Sequence, residues 1–172
     1  LIIFDRMGAD FLQKRHENEY KNKIGFLEDT ILYEQKLTLK DHLREIANNL
    51  GFNSGERISI YRYDWEQKDF ECVARFSDNA SHGQPSEYNV RYPCNKGIIG
   101  KTWSDCHYNN LIHDNKIPPT GGRRKNYLQK EYGYEPQEIK NFRMKSLDML
   151  AHLIQDNKKE PLAVIVFESV EQ

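Results

Sequence analysis

Cys106-His107 and His113-Asp114 hold every side-chain type that a metal or thiol centre needs. Their spacing does not suit one. Metal motifs place two ligands on one helical face or round a tight knuckle, whereas residues 109–113, between the pairs, read as a short strand. No metal ligand set is assigned. Cys72 falls in the apolar series Phe70, Cys72, Ala74, Phe76 and reads as a small buried hydrophobe. Three cysteines, Cys72, Cys94 and Cys106, are an odd number without a Cys-x-x-Cys pair, which argues against a disulfide framework and fits a reducing, cytoplasmic setting. No nucleophile with a base and no phosphate loop forms a recognisable motif, so no catalytic residue is expected.

The residues that could bind are of another kind. Tyr92 and Trp103 flank Gly97-Ile98-Ile99-Gly100, where an aromatic pair would give a small ligand a stacking surface. Further on, Ser146, Asp148 and His152 share one face of an alternating run with Leu150 and Ile154, opposite Leu147, Met149, Ala151 and Leu153. Polar groups on a half-buried face are candidates to line a cavity, and edge exposure explains them equally well. The candidate ligand-binding set is therefore Tyr92, Trp103, His113, Asp114, Ser146 and Asp148. A second candidate is an anion site, in which the backbone amides of Gly121 and Gly122 stand beside Arg123 and Arg124. A solvated, mobile loop accounts for the same residues.

Several elements would have to position these groups. Residues 10–35 are long, polar and helix-forming, interrupted only by Gly25, and Tyr20, Ile24, Leu27 and Ile31 make a narrow apolar seam suited to a partner helix, or to a helix folded back on its own domain. A break is expected at 36–38, with Thr38 capping a second helix whose apolar face is Leu39, Leu43, Ile46 and Leu50, ending at Gly51. Ile58 and Ile60 begin a strand, residues 64–69 make a polar hairpin, and Phe70, Cys72, Ala74 and Phe76 give one apolar face to the return strand. Residues 77–87 read as a loop, and an alternating run with Val90 and Tyr92 on one side stops at Pro93, which has no amide to give the ladder. Residues 116–142, with Pro118-Pro119 and Gly121-Gly122, read as one long irregular stretch. Residues 161–167 are apolar on both faces and should form a central strand.

This arrangement resembles the GAF domain, a family of regulatory small-molecule-binding modules, over roughly residues 38–170. In that family a strand ending near Pro93 leads into a Gly-x-x-Gly turn like residues 97–100, and the fold closes with two strands like 145–155 and 161–168. The resemblance implies an α+β fold: an antiparallel five- or six-stranded sheet with helices on one face, here preceded by a long N-terminal helix. It also implies that residues 116–142 act as a lid over the pocket. Residues 1–37 would be a helical stalk and 38–172 the sensor domain. Cys106-His107 is similar to the bilin-attaching pair of phytochrome-type GAF domains, but it follows the glycine turn too early. The Asn-Lys-x-x-x-Asp-Glu signature of cyclic-nucleotide-binding members is missing. Free-methionine sulfoxide reductases share the fold, yet the turn position where they carry a cysteine is Ile99 here, with Cys94 preceding the turn.

The expected function is thus a non-enzymatic regulatory domain that binds an unidentified small molecule, with no cofactor assigned and a homodimer formed through the N-terminal helix. The alternative is a GAF-fold interaction module that has no ligand. With 25 Lys+Arg against 26 Asp+Glu, the net charge of −1 gives no global attraction to nucleic acid or to an anionic membrane. Leu1-Ile2-Ile3-Phe4 could be the last turn of a membrane helix upstream, or an apolar stub.

Overall fold

The computed structural model describes residues 2–83, 91–105 and 110–171, with side chains of the first helix described from residue 22, apart from 28 and 29. It divides into two compact units, Leu1–Thr38 and Leu39–Gln172. The first unit is helical and belongs to α1 (Ile2–Asn49). The break expected at 36–38 is absent: Thr38 donates its hydroxyl to the Glu34 carbonyl four residues back at 3.0 Å, as a mid-helix threonine does. No Pro or Gly stands there to interrupt the helix. In the expected seam Ile24, Leu27 and Ile31 are 55, 51 and 57% exposed, while the Tyr20 side chain lies outside the described residues.

The second unit takes the end of α1 and continues as β1 (Glu56–Asp64), β2 (Asp69–Phe76), α2 (Ala80–Gly83), β3 (Arg91–Pro93), α3 (Gly97–Ser104), β4 (Leu111–Asp114), α4 (Gly121–Tyr132), α5 (Pro136–Lys140), β5 (Asp148–Gln155) and β6 (Pro161–Ser169). The strands form one six-stranded antiparallel sheet in the order β3-β2-β1-β6-β5-β4. This is the expected α+β class. β6 lies between β1 and β5, as its two apolar faces require. No helix among the described residues is long and apolar enough to cross a membrane.

The polar turn between β1 and β2 forms as its sequence dictates, with Asp64 Oδ1 accepting the amides of Glu66 at 3.0 Å and Gln67 at 3.1 Å. β2 does not keep a single apolar face. Ile60 pairs with Ala74 and Tyr61 with Cys72, so Val73 is an extra, unpaired residue, a β-bulge. Phe70 and Cys72 consequently pack on one side of the sheet, while Ala74 and Phe76 pack on the other. The bulge also places Arg75 opposite Ser59, on the side that carries Phe70.

Each side of the sheet has its own core. On one, Leu43 and Ala47 from the end of α1 meet Ile58 and Ala74, with Leu39, Phe52, Ile60, Phe76, Ile165 and Phe167 around them. The stripe that packs on the sheet is Leu39, half-buried, with Leu43 and Ala47, both buried, rather than the expected run through Ile46 and Leu50, which are 36 and 58% exposed. Alanine at 47 lets the helix backbone approach the strands, which a strict search for large apolar residues overlooks. On the other side Tyr61, Phe70, Met149, Ala151, Val164 and Val166 of the strands meet Ile98 and Ile99 of α3 and Leu128 and Tyr132 of α4.

Residues 116–142, expected to be irregular, contain α4 and α5. Most of α4 is polar and only Arg124, Leu128 and Tyr132 are buried, spaced one turn apart. α5 starts with a reciprocal capping box between Glu135 and Glu138, and Pro136 stands at its first turn, where a missing amide costs nothing.

Candidate functional site

A cavity of about 350 Å³ lies between the second of these sheet faces and the layer made by α3, α4, α5 and residues 141–146. That volume is at the small end of ligand pockets, which run from about 300 to 1,000 Å³. Its apolar wall includes Ile98, Ile99, Ile117, Leu128, Met149 and Val166, and its polar wall includes Arg57, Arg75, Tyr92, Arg124, Tyr134, Ser146 and Glu168.

The glycine turn sets the height of this layer. Gly97 has φ of 69°, in the left-handed region, and a β-carbon there would collide with the Tyr134 hydroxyl. A β-carbon on Gly100 would come within 2.6 Å of the Cys94 carbonyl. The two glycines let α3 start tight against residues 94–95 and let Tyr134 close over the turn. Lys96 then binds the Glu138 carboxylate at 2.9 and 3.0 Å, tying this turn to α5.

The polar wall comes from strand alternation. Arg57, Ser59 and Tyr61 point the same way from β1, and Arg57 stands in register with Glu168 of β6. Glu168 Oε2 accepts from Arg57 Nε at 2.7 Å, and Oε1 accepts from the Ser146 hydroxyl at 2.8 Å. Burial alone would push the Glu168 carboxyl up; the charge and hydrogen bonds of Arg57, the Ser146 hydroxyl and the charge of Arg75 hold it below its usual range. Arg75, turned inward by the bulge and only 7% exposed, donates Nε to Ser59 Oγ at 3.0 Å and Nη2 to the hydroxyls of Tyr61 at 2.9 Å and Tyr92 at 3.4 Å. Burial raises the phenols of Tyr61 and Tyr134, so both stay protonated well into alkaline solution. Arg124 donates Nη1 to the carbonyls of Pro118 at 3.2 Å and Ser146 at 3.0 Å, and burial lowers its pKa.

Of the residues singled out from the sequence, Tyr92, Ser146 and Arg124 line this cavity. Trp103 does not: it stacks on Tyr63 at 4.5 Å and meets Phe70 edge-on at 5.2 Å, beside Trp65 at 6.0 Å. His113 and Asp148 pair across β4 and β5 at 2.8 Å with side chains 50 and 33% exposed, outside the wall. Asp114 faces inward but is occupied in fastening α4, accepting the hydroxyls of Tyr127 at 2.8 Å and of Tyr132. Gly121, Gly122 and Arg123 are exposed on the first turn of α4. Cys106 and His107 lie outside the described residues, among which no group of three His, Cys, Asp or Glu side chains could hold a metal.

Sequence reasoning missed Arg57, Arg75, Tyr61, Tyr134 and Glu168. The parity of β1 could have found Arg57 and Tyr61, because both alternate with Ile58 and Ile60.

No protein-family model matches the sequence, and no curated protein sequence does. Solved structures do. A methyl-accepting chemotaxis protein, residues 122 to 287, superposes with a TM-score of 0.54 at 14% identity over 80% of this chain and 73% of that one. The GAF domain of a phosphoenolpyruvate-protein phosphotransferase from Coxiella burnetii gives 0.51 at 17% identity over 79% of this chain and 67% of that one. The corresponding Acinetobacter GAF domain gives 0.47 at 13% identity over 76% of this chain, which spans 63% of that structure, less than two thirds. At such identities the likeness speaks for the backbone alone. The strand order, the glycine turn that opens α3 and the Coxiella superposition agree that this chain has the fold of a GAF domain.

Proposed function

We propose that this chain is a non-enzymatic regulatory domain that binds a small molecule in the cavity over the sheet and passes occupancy to a homodimer formed through α1. The observation that carries the reading is the cavity itself: a space of about 350 Å³ in a GAF-type fold, walled by apolar side chains on one part and by fixed arginines and tyrosines on another. The exposure of Ile24, Leu27 and Ile31 supports pairing of α1 with a second copy. The free thiols of Cys72 and Cys94 support a reducing, cytoplasmic setting. A sulfoxide reductase needs a thiol at the turn, and Ile99, which fills the position, is buried in the core.

The test is a melting-temperature screen with nucleotides, amino acids and organic acids, run beside sedimentation of the parent and of the Ile24→Asp, Ile31→Asp double variant. A ligand that raises the melting temperature, with a dimeric parent and a monomeric but folded double variant, is the expected result. A dimer with no response to any compound would favour an interaction module without a ligand. A monomeric parent would end the dimer reading.

A further inference from the structure

The polar wall of the cavity includes five arginines, Arg57, Arg75, Arg91, Arg124 and Arg143, and two carboxylates, Glu138 and Glu168. Arg91 is paired with Asp64 and Asp69 outside the wall. Both carboxylates are engaged by protein groups, Glu168 by Arg57 and Ser146, Glu138 by Lys96 and the Glu135 amide. Among the described residues Arg124 has no carboxylate partner. It is 8% exposed, and among the described residues its guanidinium donates only to the carbonyls of Pro118 and Ser146. Two carbonyl dipoles orient a buried cation without neutralising it, and the fall in its pKa through burial alone is in keeping with that.

We infer that the cavity takes a small organic anion, a carboxylate or phosphate monoester whose head pairs with Arg124 and whose apolar body lies against Ile98, Ile99, Leu128 and Met149. The geometry fits that division, since all five residues line the one space and the apolar four come from α3, α4 and β5. A planar guanidinium held by two carbonyls presents its remaining N–H groups in a fixed fork, the shape that suits a carboxylate or phosphate edge. Arg75, its plane fixed by Ser59, Tyr61 and Tyr92, adds positive potential on the same wall. This inference rests on the reading that the cavity is a ligand site.

The test is calorimetric titration of the full chain with matched pairs: phenylacetate and phenylacetamide, hexanoate and hexanamide, phenyl phosphate and phenol. One anion should bind with its neutral partner weaker by roughly ten- to a hundredfold, the usual worth of a hydrogen bond to a charged group. Carboxylate and phosphate members separate the two head groups. Arg124→Gln should weaken the same anion by a similar factor while still melting cooperatively, and Arg124→Lys should recover part of the loss. A neutral member that binds as tightly as its anion, or an Arg124→Gln protein with unchanged affinity, would overturn the inference and leave ligand binding standing. Silence from every pair, charged and neutral, would overturn both. The comparison of anion with neutral partner uses the unmodified chain, so the outcome holds even where Arg124→Gln does not fold.

Discussion

The two faces of the sheet are built from the same strands but held by different physics. The face beneath α1 is a dry, apolar contact of Leu43 and Ala47 on Ile58 and Ala74, with the Arg44 guanidinium over the Phe76 ring at its edge. The cavity face buries Arg75, Glu168 and Ser59, with Arg57 half-buried among them, beside apolar side chains, and Arg57, Arg75 and Glu168 border a space. One inserted residue does much of the sorting. Without the bulge at Val73, strict alternation would set Arg75 against Leu43 and Ala47, where nothing could hydrogen-bond it. The lesson is that a sheet can carry an apolar core on one side and a polar-walled cavity on the other, at the cost of a single break in alternation.

The largest effect should come from the charged face. Glu168→Ala removes the carboxylate that answers Arg57 and should cost about 3–5 kcal/mol, as for other broken buried pairs, read by denaturant unfolding. The sign with pH follows. The folded-state pKa of Glu168 lies below its unfolded value of about 4.3, so its contribution is fully present above that pH and is lost as pH falls through the folded value. The parent should therefore lose part of its advantage over Glu168→Ala on acidification.

On the dry face Leu43→Ala should cost about 2–5 kcal/mol through the cavity it leaves. That loss should be the same at pH 5 and pH 8. A strong pH dependence would mean that the two faces are not separable. At the alkaline end the cavity face should again be the sensitive one. Tyr61, Tyr132 and Tyr134 are raised in the folded state, first by burial, so their stabilisation is complete below the unfolded value of about 10 and is lost as pH climbs from there through the folded values. Melting temperature followed from pH 9 to 11 checks this, and Tyr61→Phe should flatten part of the fall. The smallest effect belongs to Trp103→Phe, which trades the stack on Tyr63 for a smaller ring and should cost about 1 kcal/mol. Because Trp103 stands outside the cavity wall, its removal should leave any ligand response intact.

Much of the sheet was legible because strands announce themselves by parity and by turn chemistry. The hairpin at Asp64, the stop at Pro93 and the doubly apolar β6 all follow from local rules. The fold therefore could be read. The site could be read only in part, since Arg75 depends on a bulge hidden in the apolar run Cys72-Val73-Ala74, which alternation cannot place. α4 was hidden for the opposite reason. Its Gly-Gly start and polar surface look like loop, and its three buried side chains include an arginine, which no apolar pattern counts. Asp114 looked like a ligand residue because an acid beside a histidine is chemically suggestive, yet its two tyrosine partners stand nearly two and about three turns along α4.

The glycine turn has a consequence for how this chain can drift. Gly97 and Gly100 are pinned by backbone and by the Tyr134 hydroxyl, so neither can change unless a neighbour changes with it. The residues that would choose a ligand are under no such tie: Arg124, Leu128 and Met149 sit on regular helix or strand, where one side chain can be exchanged without moving the chain. Descendants of this sequence can therefore change the lining of the cavity by single steps while the loop that frames it stays fixed.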